Sequence, residues 1–268
     1  MAIRLYWWHE KRASGLENYG DLLSKYILER ISRQKVICIE HPNKGLHKYF
    51  FKHYVSIGSI ISSVNKNSIV WGSGIIKKND NIRDAKFLAV RGPKTRQRIL
   101  EMGYNCPEVY GDPAILLPNF YKPLVKKKYT IGVIPHYIDY KEVCEVFKND
   151  SRTKVINLLT NSVEKTTRHI LECEQIISSS LHGVIVPQGY GIPSLWVKFS
   201  NKLSGDNIKF YDYFESTNIN FKSENRIEPS DLCYEKLKQL LNDNKKVLLP
   251  NPIILELRKK QLLNSCPF

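Results

Sequence analysis

Long apolar runs are missing from this 268-residue chain. No window approaches the ~18 uninterrupted apolar residues of a membrane-crossing helix. The opening MAIRLYWWHEKR has no basic segment leading into an apolar one, so neither a spanning helix nor a secretory leader is expected. The six cysteines, at 38, 106, 144, 173, 233 and 266, show no CxxC spacing and no small-secreted-domain pattern, so reduced thiols in a cytoplasmic protein are expected. Also absent are a GxxxxGK[ST] loop, a GxSxG elbow, a metal-ligand cluster and a repeat of about 20–50 residues, which argues against a metal-driven or nucleotide-hydrolysing engine. Acidic residues are outnumbered by basic ones, 26 to 41, and the formal net charge is +15. Such an excess suits anionic partners: phosphorylated metabolites, nucleic acid or an acidic membrane face. The lysines are spread along the chain, and the one dense run, Lys126-Lys127-Lys128, falls between apparent domains. No dedicated nucleic-acid surface is therefore expected, and contact with an anionic membrane would be peripheral.

Alternating strands and helices are what the chain does contain. Short buried apolar runs read as strands at Ile3–Trp8, Val36–Ile39, Tyr54–Ile60, Ser68–Trp71 and Phe87–Val90 in the first half. Tyr129–Ile134, Val155–Leu159, Ile176-Ile177 and Ile192–Val197 follow in the second. Helical spacing places an amphipathic helix over Leu22–Ser32 and another from Pro93 to a stop at Gly103. Further helices are expected over Tyr140–Phe147, from an Asn161/Glu164 capping box, from a Ser230 cap, and from Ile253 to Leu263. The aromatic cluster Phe210–Phe214 has no assigned state. Between Pro118 and Lys128 the chain is rich in proline and lysine without periodicity, which marks a boundary. The expected fold is α/β, with two doubly wound Rossmann-like domains, residues 1–122 and 123–268, facing across a cleft, the last helix crossing back onto the first.

Candidate site residues cluster where strands end. Ile176-Ile177 runs into Ser178, Ser179, Ser180 and His182, then a short helix and a further strand, which is a βαβ unit. Its turn lies at the carboxyl edge of the sheet, where hydroxyls, free amides and an imidazole can receive a phosphate or carboxylate. Serines in such a turn also serve simply as caps. Arg91 ends a strand and can grip an oxyanion in a fork or form a salt bridge. Asp21 opens a helix, as a functional carboxylate or as an N-cap. The Gly72-Ser73-Gly74 turn allows close backbone approach, and His136 follows another strand.

Six motifs in order, Asn18-Tyr19-Gly20-Asp21, Trp71-Gly72-Ser73-Gly74, Val90-Arg91-Gly92-Pro93, Gly111-Asp112-Pro113-Ala114, Ile134-Pro135-His136 and Ser179-Ser180-Leu181-His182-Gly183, resemble those of the polysaccharide pyruvyl transferase family. The resemblance implies a fold like that of GT-B glycosyltransferases. It also implies transfer of pyruvate from phosphoenolpyruvate, the donor substrate, to sugar hydroxyls of a bacterial exopolysaccharide or capsular precursor, with no further cofactor or metal. On this basis His182 and Asp21 would be catalytic, and Arg91, Ser179, Ser180, His136, Gly74 and Gly183 would bind substrate. The acceptor would be a glycan or lipid-linked oligosaccharide met in the cytoplasm or at the inner membrane face. Some members carry Arg where this chain has Ser180, so an arginine grip from that position is missing here. A GT-B-like transferase using a nucleotide sugar, or an inactive glycan-binding relative, would share the architecture.

Overall fold

The computed structural model describes residues 2–10, 14–45, 50–202 and 205–268. In the first half, β1 (Ile3–Tyr6) is followed by the short β2 (Glu17–Asn18), α1 (Tyr19–Ser32), β3 (Val36–Cys38) and β4 (His53–Val55). Then come β5 (Ser68–Trp71), β6 (Lys86–Ala89), α2 (Pro93–Glu101) and a 3-10 segment, Pro113–Asn119. The second half comprises β7 (Tyr129–Ile134), α3 (Tyr140–Phe147), β8 (Thr153–Val155), β9 (Leu159–Thr160), α4 (Val163–Leu171) and β10 (Cys173–Ser178). It continues through α5 (His182–Gly189), β11 (Ser194–Lys198), α6 (Ile208–Ser216), β12 (Asn225–Arg226), α7 (Tyr234–Asp243) and α8 (Pro252–Asn264).

Two five-stranded parallel sheets result, ordered β3-β1-β4-β5-β6 and β12-β11-β10-β7-β8. Counting each sheet's own strands from its start, both read 2-1-3-4-5, the doubly wound order whose winding reverses between the first and third strands. Those reversal points are β1/β4 and β7/β10. Two like topologies thus stand side by side without a sequence repeat to announce them.

Several boundaries differ from the sequence reading, each for a local reason. The expected strand Val155–Leu159 is split because Asn157 Oδ1 accepts from the Leu159 amide at 2.8 Å, an Asx turn that ends extended pairing. The chain beyond it, β9, pairs antiparallel with β2 and so ties the halves together. At α4 the cap is Ser162, which accepts from the Lys165 amide at 3.2 Å, rather than Asn161. Ser230 lies in a separate 3-10 turn, Pro229–Asp231, and α7 opens at Tyr234. Phe210–Phe214 belongs to α6. At α1 the cap is Asn18, whose Oδ1 accepts from the Gly20 amide at 2.9 Å, leaving Asp21 in the first turn.

The halves share an interior. Leu5, Leu23 and Ile27 belong to the same buried cluster as Ile134, Ile176, Val184 and Trp196. Helix α1 is one bridge: Tyr19 N donates to Leu158 O at 2.7 Å, and the buried Tyr19 hydroxyl pairs with Thr167 Oγ1 at 2.7 Å. Further along, Tyr26 and Arg30 both donate to Glu164 at 2.8 Å. Helix α8 returns to the first half, where its Leu262 carbonyl accepts from Trp71 Nε1 at 3.0 Å. No helix among the described residues is long and apolar enough to cross a membrane.

Because Leu262 is fully buried while its neighbour Leu263 is 43% exposed, Leu262→Ala should cost about 2–5 kcal/mol of stability and Leu263→Ala no more than about 0.5. Urea unfolding of both variants checks this, and equal effects would show that α8 does not anchor on the first half.

Candidate active site

Four of the motif glycines lie where another motif's side chain, or a partner of one, needs their space. A Cβ at Gly20 would collide with the imidazole of His182, and one at Gly72 would collide with the Pro113 ring. One at Gly74 would stand 2.5 Å from the Arg91 guanidinium carbon, and one at Gly92 would strike the backbone carbonyl of Asp212. Gly72 also has φ +92, which a residue with a side chain rarely adopts. The Gly20 contact matters most. Gly20 sits in the first turn of α1, at the end of the loop leaving β1, and His182 opens α5 just beyond β10, so the carboxyl edges of the two sheets meet there.

His182 is only 9% exposed, with Nδ1 against Gly20 and Nε2 toward Asp112 Oδ2 at 3.5 Å. Both Nε2 and Oδ2 are buried and have no other hydrogen-bond partner among the described residues. Asp112 is fully buried, and its Oδ1 caps the 3-10 segment by accepting from the Ala114 amide at 3.0 Å. Helix α5 itself opens without a side-chain cap.

Arg91 is fully buried. Nε donates to Asp212 Oδ2 at 3.0 Å, Nη1 to Ser59 Oγ at 2.7 Å and Nη2 to the Ile75 carbonyl at 2.6 Å. Asp212, also fully buried, accepts from the Thr95 amide at 3.0 Å and hydroxyl at 2.6 Å. Gly92 has no side chain with which to cap α2, and Asp212 does this from α6 instead. The Val90-Arg91-Gly92-Pro93 motif is therefore the socket for α6. Its guanidinium is engaged in holding that helix, a role its sequence position left open.

Lys209, one turn before Asp212 on α6, shares this neighbourhood with Arg91 and Asp21. Burial pulls its ammonium down from 10.5 to about 8, the Arg91 charge pushes the same way, and the Asp21 carboxylate opposes them. Asp21 is half-buried beside Gly58. The serine turn is internally bonded: Ser178 Oγ donates to Ile134 O at 2.8 Å and accepts from the Ser180 amide at 3.0 Å, and Ser179 Oγ accepts from the His136 amide at 2.8 Å. Ser180 is 9% exposed, and Gly183 lies against Ser178 Oγ. The His136 ring lies against Tyr137, centroids 4.2 Å apart. Asp112, Lys209 and Asp212 were not anticipated as site residues. Asp112 was legible as part of a motif, whereas Lys209 and Asp212 lie in a segment without a motif. A separate groove of about 520 Å³, lined by Lys94, Tyr211, Phe214, Glu215 and Phe221 among others, contains none of these groups.

The polysaccharide pyruvyl transferase family model matches residues 18–201, which covers every motif that forms this joint. The chain belongs to that family. It is also 34% identical over 203 residues to uncharacterized protein L143 of Acanthamoeba polyphaga mimivirus, with 73% of this chain and 69% of the viral protein aligned.

The Lys209 ammonium yields a stability prediction. Its folded-state value of about 8 lies below the ordinary 10.5, so between them the unfolded chain binds more protons and stability rises with pH. The contribution is fully present above 10.5 and is lost as pH falls through about 8. Lys209→Met should be more stable than the parent at about pH 7 and show a flatter stability profile between about pH 8 and 10 by urea titration. An unchanged slope would mean that the ammonium is well solvated.

Proposed function

We propose that this protein transfers pyruvate from phosphoenolpyruvate to the hydroxyls of a sugar, forming a ketal on a glycan. Family membership supports a transferase of this kind. The observation that carries the residue assignment is the meeting of both sheets' carboxyl edges at His182 and Gly20, next in the chain to Asp21, whose carboxylate acts in turn on Lys209. Each sheet reverses its winding near this edge, where ligands of doubly wound sheets bind. The overall arrangement would be GT-B-like, with residues 1–122 on the acceptor side and 123–268 on the phosphoenolpyruvate side.

The reaction needs a proton on the methylene carbon of phosphoenolpyruvate, which leaves positive character on the adjacent carbon. Two sugar hydroxyls bond to that carbon, its bond to the phosphate oxygen breaks, and inorganic phosphate departs. Of the two hydroxyl protons, one balances the new methyl group and the other leaves with phosphate. His182 suits the role of proton donor, since imidazole gives and accepts protons near neutrality. Asp21, on the first-half side of the joint, would orient or deprotonate the acceptor. The donor's phosphate and carboxylate would be held by Lys209, by the uncapped amides of α5 and by the Ser179–Ser180 turn, with Arg91 fixing the helix that carries Lys209. The basic surface would favour an anionic lipid-linked acceptor at the inner membrane face.

The test is transfer from phosphoenolpyruvate to lipid-linked oligosaccharides, read by mass spectrometry, together with calorimetric titration. His182→Ala should lower turnover by roughly 10²–10⁴-fold, and Lys209→Met should act first on the apparent affinity for phosphoenolpyruvate. Binding of a nucleotide sugar with none of phosphoenolpyruvate would overturn the assignment in favour of a glycosyltransferase.

A further inference from the structure

The buried pair His182 and Asp112 bears on which imidazole nitrogen works. A carboxylate oxygen without a partner in an apolar interior is costly, and among the described residues the one group facing Asp112 Oδ2 is His182 Nε2, at 3.5 Å. That separation exceeds the ~2.7–2.9 Å of a formed charge-assisted bond, as expected of catalytic hydrogen bonds that tighten when substrate binds. The capping bond from Oδ1 to the Ala114 amide fixes the carboxylate, so Oδ2 cannot turn away to another donor. On the other side the ring rests on Gly20, where any side chain would occupy the place of Nδ1. The imidazole is therefore held between a carboxylate at one nitrogen and bare backbone at the other.

We infer that Asp112 is a positioning residue that keeps a proton on His182 Nε2, so that Nδ1, on the Gly20 side, is the nitrogen that exchanges protons with substrate. Its catalytic part rests on the transferase reading above; its structural part does not. The Nε2 proton stays in place throughout. Nδ1 carries a second proton before the step, gives it to the methylene carbon, and recovers one from an acceptor hydroxyl. A carboxylate oxygen facing Nε2 can accept its proton but cannot donate one, which fixes the tautomer left after the other proton is given up. In Asp112→Asn, Oδ1 can still cap Ala114, but an amide N–H would face Nε2. The ring then keeps its lone pair there and carries its proton on Nδ1, the wrong tautomer for accepting one.

The experiment is long-range proton–nitrogen NMR on protein labelled at its seven histidines, with His182 assigned by the signal lost in His182→Gln, alongside transfer kinetics. The neutral ring should be the Nε2–H tautomer in the parent and the Nδ1–H tautomer in Asp112→Asn. Turnover of the variant should fall by roughly 10²–10⁴-fold, with the apparent affinity for phosphoenolpyruvate changed by less than about threefold. An Nδ1–H tautomer in the parent overturns the proposal even if the variant fails to fold. So does a folded variant, checked by thermal melting, that keeps the parent's tautomer, since Asp112 would then be a cap alone. If the tautomers behave as expected but the parent transfers no pyruvate, the transferase reading fails while the Asp112–His182 arrangement stands.

Discussion

His182 reaches Asp112 because residue 20 has no side chain. Were there a Cβ at that position, either α1 would lift away from α5 or the imidazole would leave its place. Helix α1 cannot lift freely. Asn18 caps it, Tyr19 is bonded to Leu158 and Thr167 of the other half, and Leu23 and Ile27 are fully buried in the shared core. Close-packed interiors transmit such a constraint instead of absorbing it. The joint between the sheets, the position of the histidine and the entry of α1 are thus one geometric condition.

A second condition fixes the cationic side. Burying Arg91 and Asp212 together strips both charges of water, and the loss is offset only if their remaining hydrogen-bonding capacity is well used. Here Ser59, Ile75 and Thr95 provide that. The network joins the end of β6, the start of α2 and α6, elements from both halves of the chain. It is therefore a clamp whose geometry sets where Lys209 stands. An arginine at the carboxyl end of a strand invites the reading of an anion grip, and here the guanidinium also holds α6 in place through Asp212.

Much of the frame could be read from the sequence because burial on both faces of a parallel strand gives short apolar runs, and α1 shows its helical spacing in residues such as Leu23 and Ile27, both fully buried. The serine-histidine turn was legible because its residue types are concentrated at one strand end. What escaped depends on partners distant in sequence. Asp212 lies 121 positions from Arg91, and nothing within Phe210–Phe214 marks it as a cap for a helix of the other half. The cap positions at α1 and α4 were displaced by residues because Asn, Asp and Ser compete for that role, and geometry alone decides among them. The identical winding of the two sheets left no trace, since strand order is a property of pairing and not of composition.

The site also shows how a chain lacking arginine at position 180 can present positive charge. Lys209 lies close enough to Arg91 for the guanidinium to disfavour its charge, and Asp21 only partly relieves this. Burial, with the guanidinium's charge added to it, makes the ammonium expensive, and the expense appears as a value lowered to about 8. An anion bound beside the ammonium would offset the repulsion and favour its charged form. The same burial that destabilises the empty site would thus increase its preference for phosphate and carboxylate over neutral ligands. Arg91, clamped by Asp212, could not relax that strain by swinging away.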